Sequence, residues 1–164
     1  MSDINNIDTR SSQICVSCGI CCMGILFDQD EDPEKYGFAP EPRSPLLPLA
    51  CRLYRDKDPG CIIYADPNRP LICKAYQCQT LKQLLQDGIS LEQAQARAKN
   101  IKTLLAKILT HFPQSDTPKP ANAHIQSVCD SLKLELDSGD QSHLELYLDI
   151  LFLRLLISRH IILM

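Results

Sequence analysis

Four cysteines fall within eight residues near the start of this chain, in the stretch ICVSCGICCMGILF at positions 14–27. Four more follow by position 78, so eight of the nine cysteines lie in the first half of 164 residues. The eight residues are Cys15, Cys18, Cys21, Cys22, Cys51, Cys61, Cys73 and Cys78. Thiolates are soft ligands that suit zinc, copper(I) and iron–sulfur clusters. The pattern therefore predicts metal binding by these eight cysteines.

The spacing of the first three cysteines favours iron over zinc. Cys15, Cys18 and Cys21 keep the C-x2-C-x2-C spacing that supplies three ligands to one [4Fe–4S] cluster in bacterial ferredoxins, although the usual x3-C-P continuation is missing. No histidine lies between Cys15 and Cys78, so we expect all-sulfur sites. Zinc remains the alternative, because C-x2-C pairs serve zinc as well.

The adjacent pair Cys21 and Cys22 predicts two centres rather than one. Neighbouring side chains point to opposite sides of an extended backbone, so they rarely reach the same ion. Two tetrahedral centres need eight sulfurs, and the chain supplies eight before position 79. Cys15, Cys18 and Cys21 would form the first centre with one later cysteine, which the sequence does not identify. Cys22 would complete the second centre with three of Cys51, Cys61, Cys73 and Cys78.

Several motifs together resemble a known family. CVSCGICC is followed by CRLY at Cys51, CIIY at Cys61 and RPLICKAYQC from Arg69 to Cys78. This set is similar to the YkgJ-like family of small bacterial proteins, which is described as a zinc- or iron-chelating domain with a CxxCxxCC signature. The likeness covers roughly residues 14–80. It implies metal chelation by the eight cysteines, leaves zinc or iron open and implies no reaction.

Charged and aromatic residues accompany the cysteines. Two four-thiolate centres would together carry about −4, a charge that is costly to bury without nearby cations. Arg69, in the RP motif, is the candidate for a cofactor-binding cation, whereas Arg52, Arg55 and Lys74 are expected to be solvated. The three tyrosines found at C-x2-Y spacing, which would either screen the sulfurs or fill the core, are Tyr54, Tyr64 and Tyr76.

A change in pattern near Cys78 predicts the fold class. Eight of the eleven prolines lie at positions 33–70, where turn signals predict irregular backbone held together by metal. Helical periodicity dominates after that point. We expect one mainly α domain over residues 1–164, in which a metal-stabilised cysteine-cluster region at 14–80 packs with a helical bundle at 81–164.

The helical region has clear boundary signals. A short helix is expected to end at Gly88, and Ser90 with Gln93 forms a capping box that opens a longer helix. Later helices are expected from about Ala123, with Cys129 as a buried structural thiol, and from about His143. The long helix has one apolar stripe, formed by Ala94, Ala98, Ile101, Leu105, Ile108 and Phe112.

The last helix is apolar nearly all round. Its charged residues interrupt it too often for a membrane span. We therefore expect either a buried core helix or one that packs on a partner subunit, and apolar residues nearly all round it also fit a homodimer contact. The interrupting residues are Glu145, Asp149, Arg154, Arg159 and His160.

The net charge and the expected cellular compartment limit the classes of function that fit this chain. The net charge is −3, and residues 15–78 hold seven basic against nine acidic residues, which argues against nucleic-acid binding. The polar N-terminal residues lack the apolar segment of a secretory signal, so we expect a cytoplasmic protein with reduced thiols.

The sequence predicts a metal-binding protein with iron–sulfur clusters in an electron-transfer or structural role. The alternatives are a zinc-binding structural or interaction protein and a thiol- or sulfur-handling enzyme, and the sequence does not decide whether the protein is an enzyme.

Overall fold

The computed structural model of the protein describes residues 9–26, 33–38, 51, 53–54, 60–112 and 121–161. This part of the chain is mainly α, as predicted, and its β pairing is one antiparallel bridge between Tyr54 and Cys61. Short 3₁₀ turns lie at Cys21–Met23 and Pro33–Tyr36. The α-helices are α1 (Thr9–Cys18), α2 (Leu71–Ala75), α3 (Gln79–Leu85), α4 (Leu91–Leu109), α5 (Ala121–Asp137) and α6 (Leu144–His160).

Helix α1 was not predicted, because the cysteine region was expected to be irregular. Its inner side holds Ser11, Ile14, Cys15 and Cys18, which follow the i, i+3, i+4, i+7 spacing of a helical face. Ser11 and Ile14 are buried, and both cysteines pack against the core cluster around Ile14. The thiols therefore occupy positions that apolar side chains hold in an ordinary helix.

Helix α4 begins at the predicted capping box. The Ser90 side chain accepts a hydrogen bond from the Gln93 backbone N–H at 3.1 Å, and the Gln93 side chain accepts one from the Ser90 N–H at 2.9 Å. All six residues of the predicted apolar stripe are buried, which confirms the inner face of this helix.

The predicted end of α3 needs a correction. The helix ends at Leu85, and the left-handed residue after it is Asp87, with a φ of 57°, rather than Gly88. Gly88 donates its N–H to the Gln83 carbonyl at 2.8 Å, and Asp87 donates to the Leu84 carbonyl at 3.2 Å. This is the Schellman closure, in which Asp tolerates the left-handed position better than most side chains. Gly88 thus supplies the closing donor.

Helices α5 and α6 follow their predictions closely. Helix α5 starts two residues earlier than expected, α6 starts one residue after His143, and Gly139 turns the chain between them with a φ of 93°. Residues 113–120, which precede α5, lie outside the described residues. Among the described helices, none has the length and apolar character needed to cross a membrane.

Two apolar clusters join the cysteine region to the helices. Ile20, Met23 and Ile25 pack among residues of α4, α5 and α6. Ile14 packs with residues of α3 and the first turns of α4. Cys129 is 4% exposed within the larger cluster, as predicted for a structural thiol. The two regions therefore share their core and form one packed unit.

Candidate metal centre

All eight cysteines of the predicted site line one cavity, with a volume of about 130 Å³. Apolar side chains complete much of the wall, and Leu53 and Ile63 are buried there. Arg69, the candidate cation of the sequence analysis, lines the same cavity. The structure thus brings together every residue of the predicted site, while Cys129 lies elsewhere in the core.

The first four cysteines are placed by a helix and a tight turn. Cys15 and Cys18 lie one turn apart on α1, which ends at Cys18. Gly19 then reverses the chain with a φ of 63°, and Gly24 closes the following 3₁₀ turn with a φ of 79°. A Cβ at Gly19 would lie 1.9 Å from Cε2 of Tyr54, so only glycine lets this turn approach that ring.

The geometry of the cysteine doublet differs from the extended backbone assumed in the prediction. Cys21 and Cys22 lie in a 3₁₀ turn over Cys21–Met23. A 3₁₀ helix has three residues per turn, so neighbouring side chains diverge by about 120°. The expected separation of the two thiols therefore has a different cause, which is rotation about a helical axis.

The described residues around Cys51 and Cys61 place these two cysteines against this turn. The Cys51 N–H donates to the Cys22 carbonyl at 2.7 Å, and the bridge between Tyr54 and Cys61 brings the next cysteine alongside. A Cβ at Gly60, whose φ is 60°, would lie 1.9 Å from the Val16 carbonyl oxygen. Gly60 therefore packs directly on the backbone of α1.

The electrostatic neighbours of Cys21 and Cys22 indicate two groups of cysteines, which meet at this pair. Burial raises the pKa of Cys21 well above its usual value, and the next causes are Cys18, Cys78 and Cys15. Burial likewise raises the pKa of Cys22, followed by Cys51, Cys61, Cys21 and Cys73. The first group is Cys15, Cys18, Cys21 and Cys78. The second group is Cys22, Cys51, Cys61 and Cys73.

Burial also keeps these thiols protonated. It raises the pKa of Cys15 to about 12 and that of Cys18 to about 11. It raises the pKa of Cys78 as well, although the Leu81 and Thr80 N–H groups oppose the rise. Metal binding to such thiols must displace protons. A nucleophilic cysteine needs a lowered pKa, whereas the pKa of each of these three thiols is raised.

Two positively charged side chains act on the cysteine thiols, and the sequence analysis identified one of them. The Arg69 guanidinium lies 4.2 Å from the centre of the Tyr64 ring and opposes the rise in pKa that burial causes at Cys15 and Cys61. Arg69 therefore acts on one cysteine of each group. Lys74 is exposed, as expected, whereas Arg52 and Arg55 lie outside the described residues.

Lys102 is the cation that sequence reasoning missed. Its Nζ donates to the Tyr54 hydroxyl at 2.9 Å, and its charge opposes the rise in pKa that burial causes at Cys18. It follows Ile101 in the buried stripe of α4, so it lies at the edge of the face that packs on α1. The sequence feature that could have pointed to Lys102 is its position next to that apolar stripe.

The tyrosines of the C-x2-Y pattern have different roles. Tyr64 and Tyr76 line the cavity, whereas Tyr54 packs on Gly19. The Tyr76 hydroxyl donates to the Ile161 carbonyl at 2.5 Å, and Ile161 itself lines the cavity. The Thr80 hydroxyl donates to the His160 carbonyl at 2.9 Å. The C-terminal end of α6 is therefore attached to the wall of the site.

Eight thiols line the cavity, but among the described residues their spacing differs from that of a closed site for a single ion. In the described part of the chain, no three His, Cys, Asp or Glu side chains lie close enough together to hold one metal ion. A bare ion requires such a group. The thiolates around a multi-atom cluster stand further apart, because the cluster occupies the space between them.

Comparison of the chain with protein families, with curated proteins and with solved structures found no match. The resemblance of the cysteine motifs to the YkgJ-like family therefore stays a prediction from the sequence. What the site can bind follows from its own residues.

Proposed function

We propose that this protein carries two [4Fe–4S] clusters and transfers electrons in a reducing, cytoplasmic environment. The single observation that carries the proposal is that eight thiols line one cavity and divide into two groups of four. The first centre would be held by Cys15, Cys18, Cys21 and Cys78. The second centre would be held by Cys22, Cys51, Cys61 and Cys73.

The cavity volume argues only against a bare ion. It is about 130 Å³, close to the roughly 150 Å³ of an apolar cavity that holds one benzene molecule, and the number of centres rests on the eight thiols. Zinc binds thiolates at about 2.3 Å, so four of them would have to gather within about 4 Å of one another. Each group also has the four thiols that one cluster requires.

A bound cluster of this type supplies one-electron chemistry. The chain itself would bind it, exclude water and offset its charge. Ile20 and Leu53, both 0% exposed, form part of the dry wall, and Arg69 and Lys102 provide positive charge. Cys78 Sγ accepts a hydrogen bond from the Leu81 N–H at 3.4 Å. Hydrogen bonds to sulfur and solvent exclusion are the protein's means of setting a cluster potential.

The cysteine doublet supports an electron-transfer role. Cys21 and Cys22 belong to different groups and are joined by one peptide bond, which would keep two centres in direct contact through the chain. A structural role needs no such contact. We therefore infer that the doublet connects two centres between which an electron passes.

Metal and sulfide analysis of anaerobically purified protein tests the proposal. Two [4Fe–4S] clusters predict about eight iron and eight acid-labile sulfide ions per chain, together with visible absorption that bleaches on reduction. Cys129→Ala is the matched control and should retain both clusters, because this thiol lies outside the cavity. Two zinc ions with no sulfide would contradict the proposal and identify a structural zinc protein.

A further inference from the structure

Helix α6 carries apolar side chains on two opposite faces. Its inner face packs on α4 and α5 through Ile150, Leu153 and Ile157, which are at most 8% exposed. Its outer face holds five large apolar residues that are 39–60% exposed. These five residues, called the outer row, are Leu144, Leu148, Leu151, Phe152 and Leu155.

The outer row has the spacing of a helix–helix contact. Its four leucines follow one another at intervals of four, three and four residues, which is the spacing of a coiled-coil seam, and Phe152 lies beside them. The other large apolar residues that are exposed in the described part of the chain, Leu71 and Leu134, lie singly on other helices. Single exposed apolar side chains are ordinary, whereas a continuous row marks an interaction surface.

The charges of α6 indicate which partner fits this row. Glu145 lies in the first turn, and Arg159 and His160 lie in the last. Glu145 also binds Lys107 at 2.8 Å, yet its side chain is 85% exposed and remains within reach of a partner. When two α6 helices pair in antiparallel fashion, the acidic end of one lies beside the basic end of the other. A parallel pair would place like charges together.

We propose that the outer row is a homodimer interface, in which α6 helices of two copies pair antiparallel about a two-fold axis. An interface of this kind uses the same surface on both copies, which is the commonest arrangement of homo-oligomers. The four leucines are centred between positions 149 and 150, so Leu148 of one copy would lie opposite Leu151 of the second copy. This proposal does not depend on the metal centres.

The size of the row sets the expected affinity. A standard interface uses about 20–30 residues from each side, far more than the five of the outer row. The dimer should therefore be reversible, with a Kd on the order of 1–10 µM. Sedimentation velocity between about 1 and 100 µM should show a concentration-dependent shift from monomer to dimer.

The test compares two leucine substitutions on different helices. Leu148→Glu places a charge inside the interface and should weaken dimerisation more than tenfold, because two carboxylates would be buried in an apolar contact. Leu134→Glu is the matched control, since Leu134 is 71% exposed on α5, and should leave the dimer intact. Far-UV circular dichroism and metal content should equal those of the parent in both variants. A parent chain that stays monomeric at about 100 µM, or a dimer unaffected by Leu148→Glu, would overturn the proposal.

A mixing experiment tests the antiparallel arrangement. Leu151→Lys alone should also be monomeric, for the same reason as Leu148→Glu. Mixing the two variants should restore a heterodimer, because antiparallel pairing places the new glutamate opposite the new lysine in one layer and leaves the other layer apolar. Parallel pairing would place neither charge opposite the other, so a mixture that remains monomeric would overturn the antiparallel arrangement.

Discussion

The two regions of this molecule are stabilised in different ways. Helices α4, α5 and α6 pack through apolar side chains, of which Ile108, Ile150 and Leu153 are 0% exposed. The helices described in residues 9–78 are short, with 10 residues in the longest, and surround a cavity lined by eight thiols. Small metal-held domains obtain much of their folding free energy from the metal. We infer that thiols at core positions stabilise this region fully only when their cofactor is bound.

The largest expected effect separates the two regions by removing one ligand. Cys18→Ser should abolish the first centre and make residues 9–20, which hold two of its ligands, more than about tenfold more sensitive to protease, since the ordering free energy of the metal is lost. Helices α4 to α6 should keep their far-UV signal, because their mutual contacts are apolar. Limited proteolysis with mass-spectrometric mapping of the fragments measures this.

The exposed neighbour of that cysteine on α1 offers the control for this experiment. Ser17→Ala changes a side chain that bonds only to carbonyls of its own helix, at Gln13 and Ile14, so the protease pattern should match that of the parent. Equal protease resistance in Cys18→Ser and the parent would show that the cysteine region holds itself together without metal.

The second prediction distinguishes the two proposed metal centres within the cysteine region. Cys22→Ser should remove the second centre and leave the first, so iron content should fall to about half of the parent's. Cys78→Ser should also halve the iron but remove the other centre, so the two variants should show different electron paramagnetic resonance spectra. Loss of both centres in either variant, or full iron content in Cys22→Ser, would contradict the two-centre assignment.

The third prediction concerns the tight turn that places the doublet. Gly19→Ala should lower the melting temperature by about 5–10 °C, because a left-handed non-glycine residue costs about 1–2 kcal/mol and the Cβ also meets the Tyr54 ring. Gly37→Ala has similar backbone strain, with a φ of 78°, but its Cβ meets nothing within 4 Å. Calorimetry should show less than half the effect for Gly37→Ala, and equal effects would mean that the contact with Tyr54 is unimportant.

The smallest expected effect is on metal retention alone. Arg69→Met should weaken cofactor retention by about 10–100-fold in a chelator challenge, since residues next to metal ligands typically contribute that much. Arg69→Lys should restore it only in part, because lysine lacks the planar guanidinium that lies over Tyr64. Lys99→Met, on the exposed side of α4, should have no effect. If Arg69→Met and Lys99→Met behave alike, Arg69 does not offset the thiolate charge.

The helical region could be predicted well because its signals are local. The capping box at Ser90 and the stripe from Ala94 to Phe112 each depend on residues a few positions apart, and both are present. The end of α3 was wrong by one residue for a local reason as well, since Asp87 takes the left-handed position expected of Gly88.

The cysteine region was harder to predict for two physical reasons. Helix α1 was missed because its inner face depends on Cys15 and Cys18, which were considered as ligands and not as core residues. The grouping of Cys78 with the first cysteines and the approach of Lys102 to Tyr54 depend on packing between distant segments. No local spacing encodes such contacts.

The hydrogen bonds from Tyr76 and Thr80 to the end of α6 also set an order of events during synthesis. They join residues that are 85 and 80 positions apart, at Ile161 and His160. At about 5–20 residues per second, a ribosome needs roughly 4–17 seconds to add 85 residues. All eight cysteines are therefore made seconds before the wall that contains Ile161 can close. We expect cofactor loading to fall within this interval, while one side of the cavity is still open.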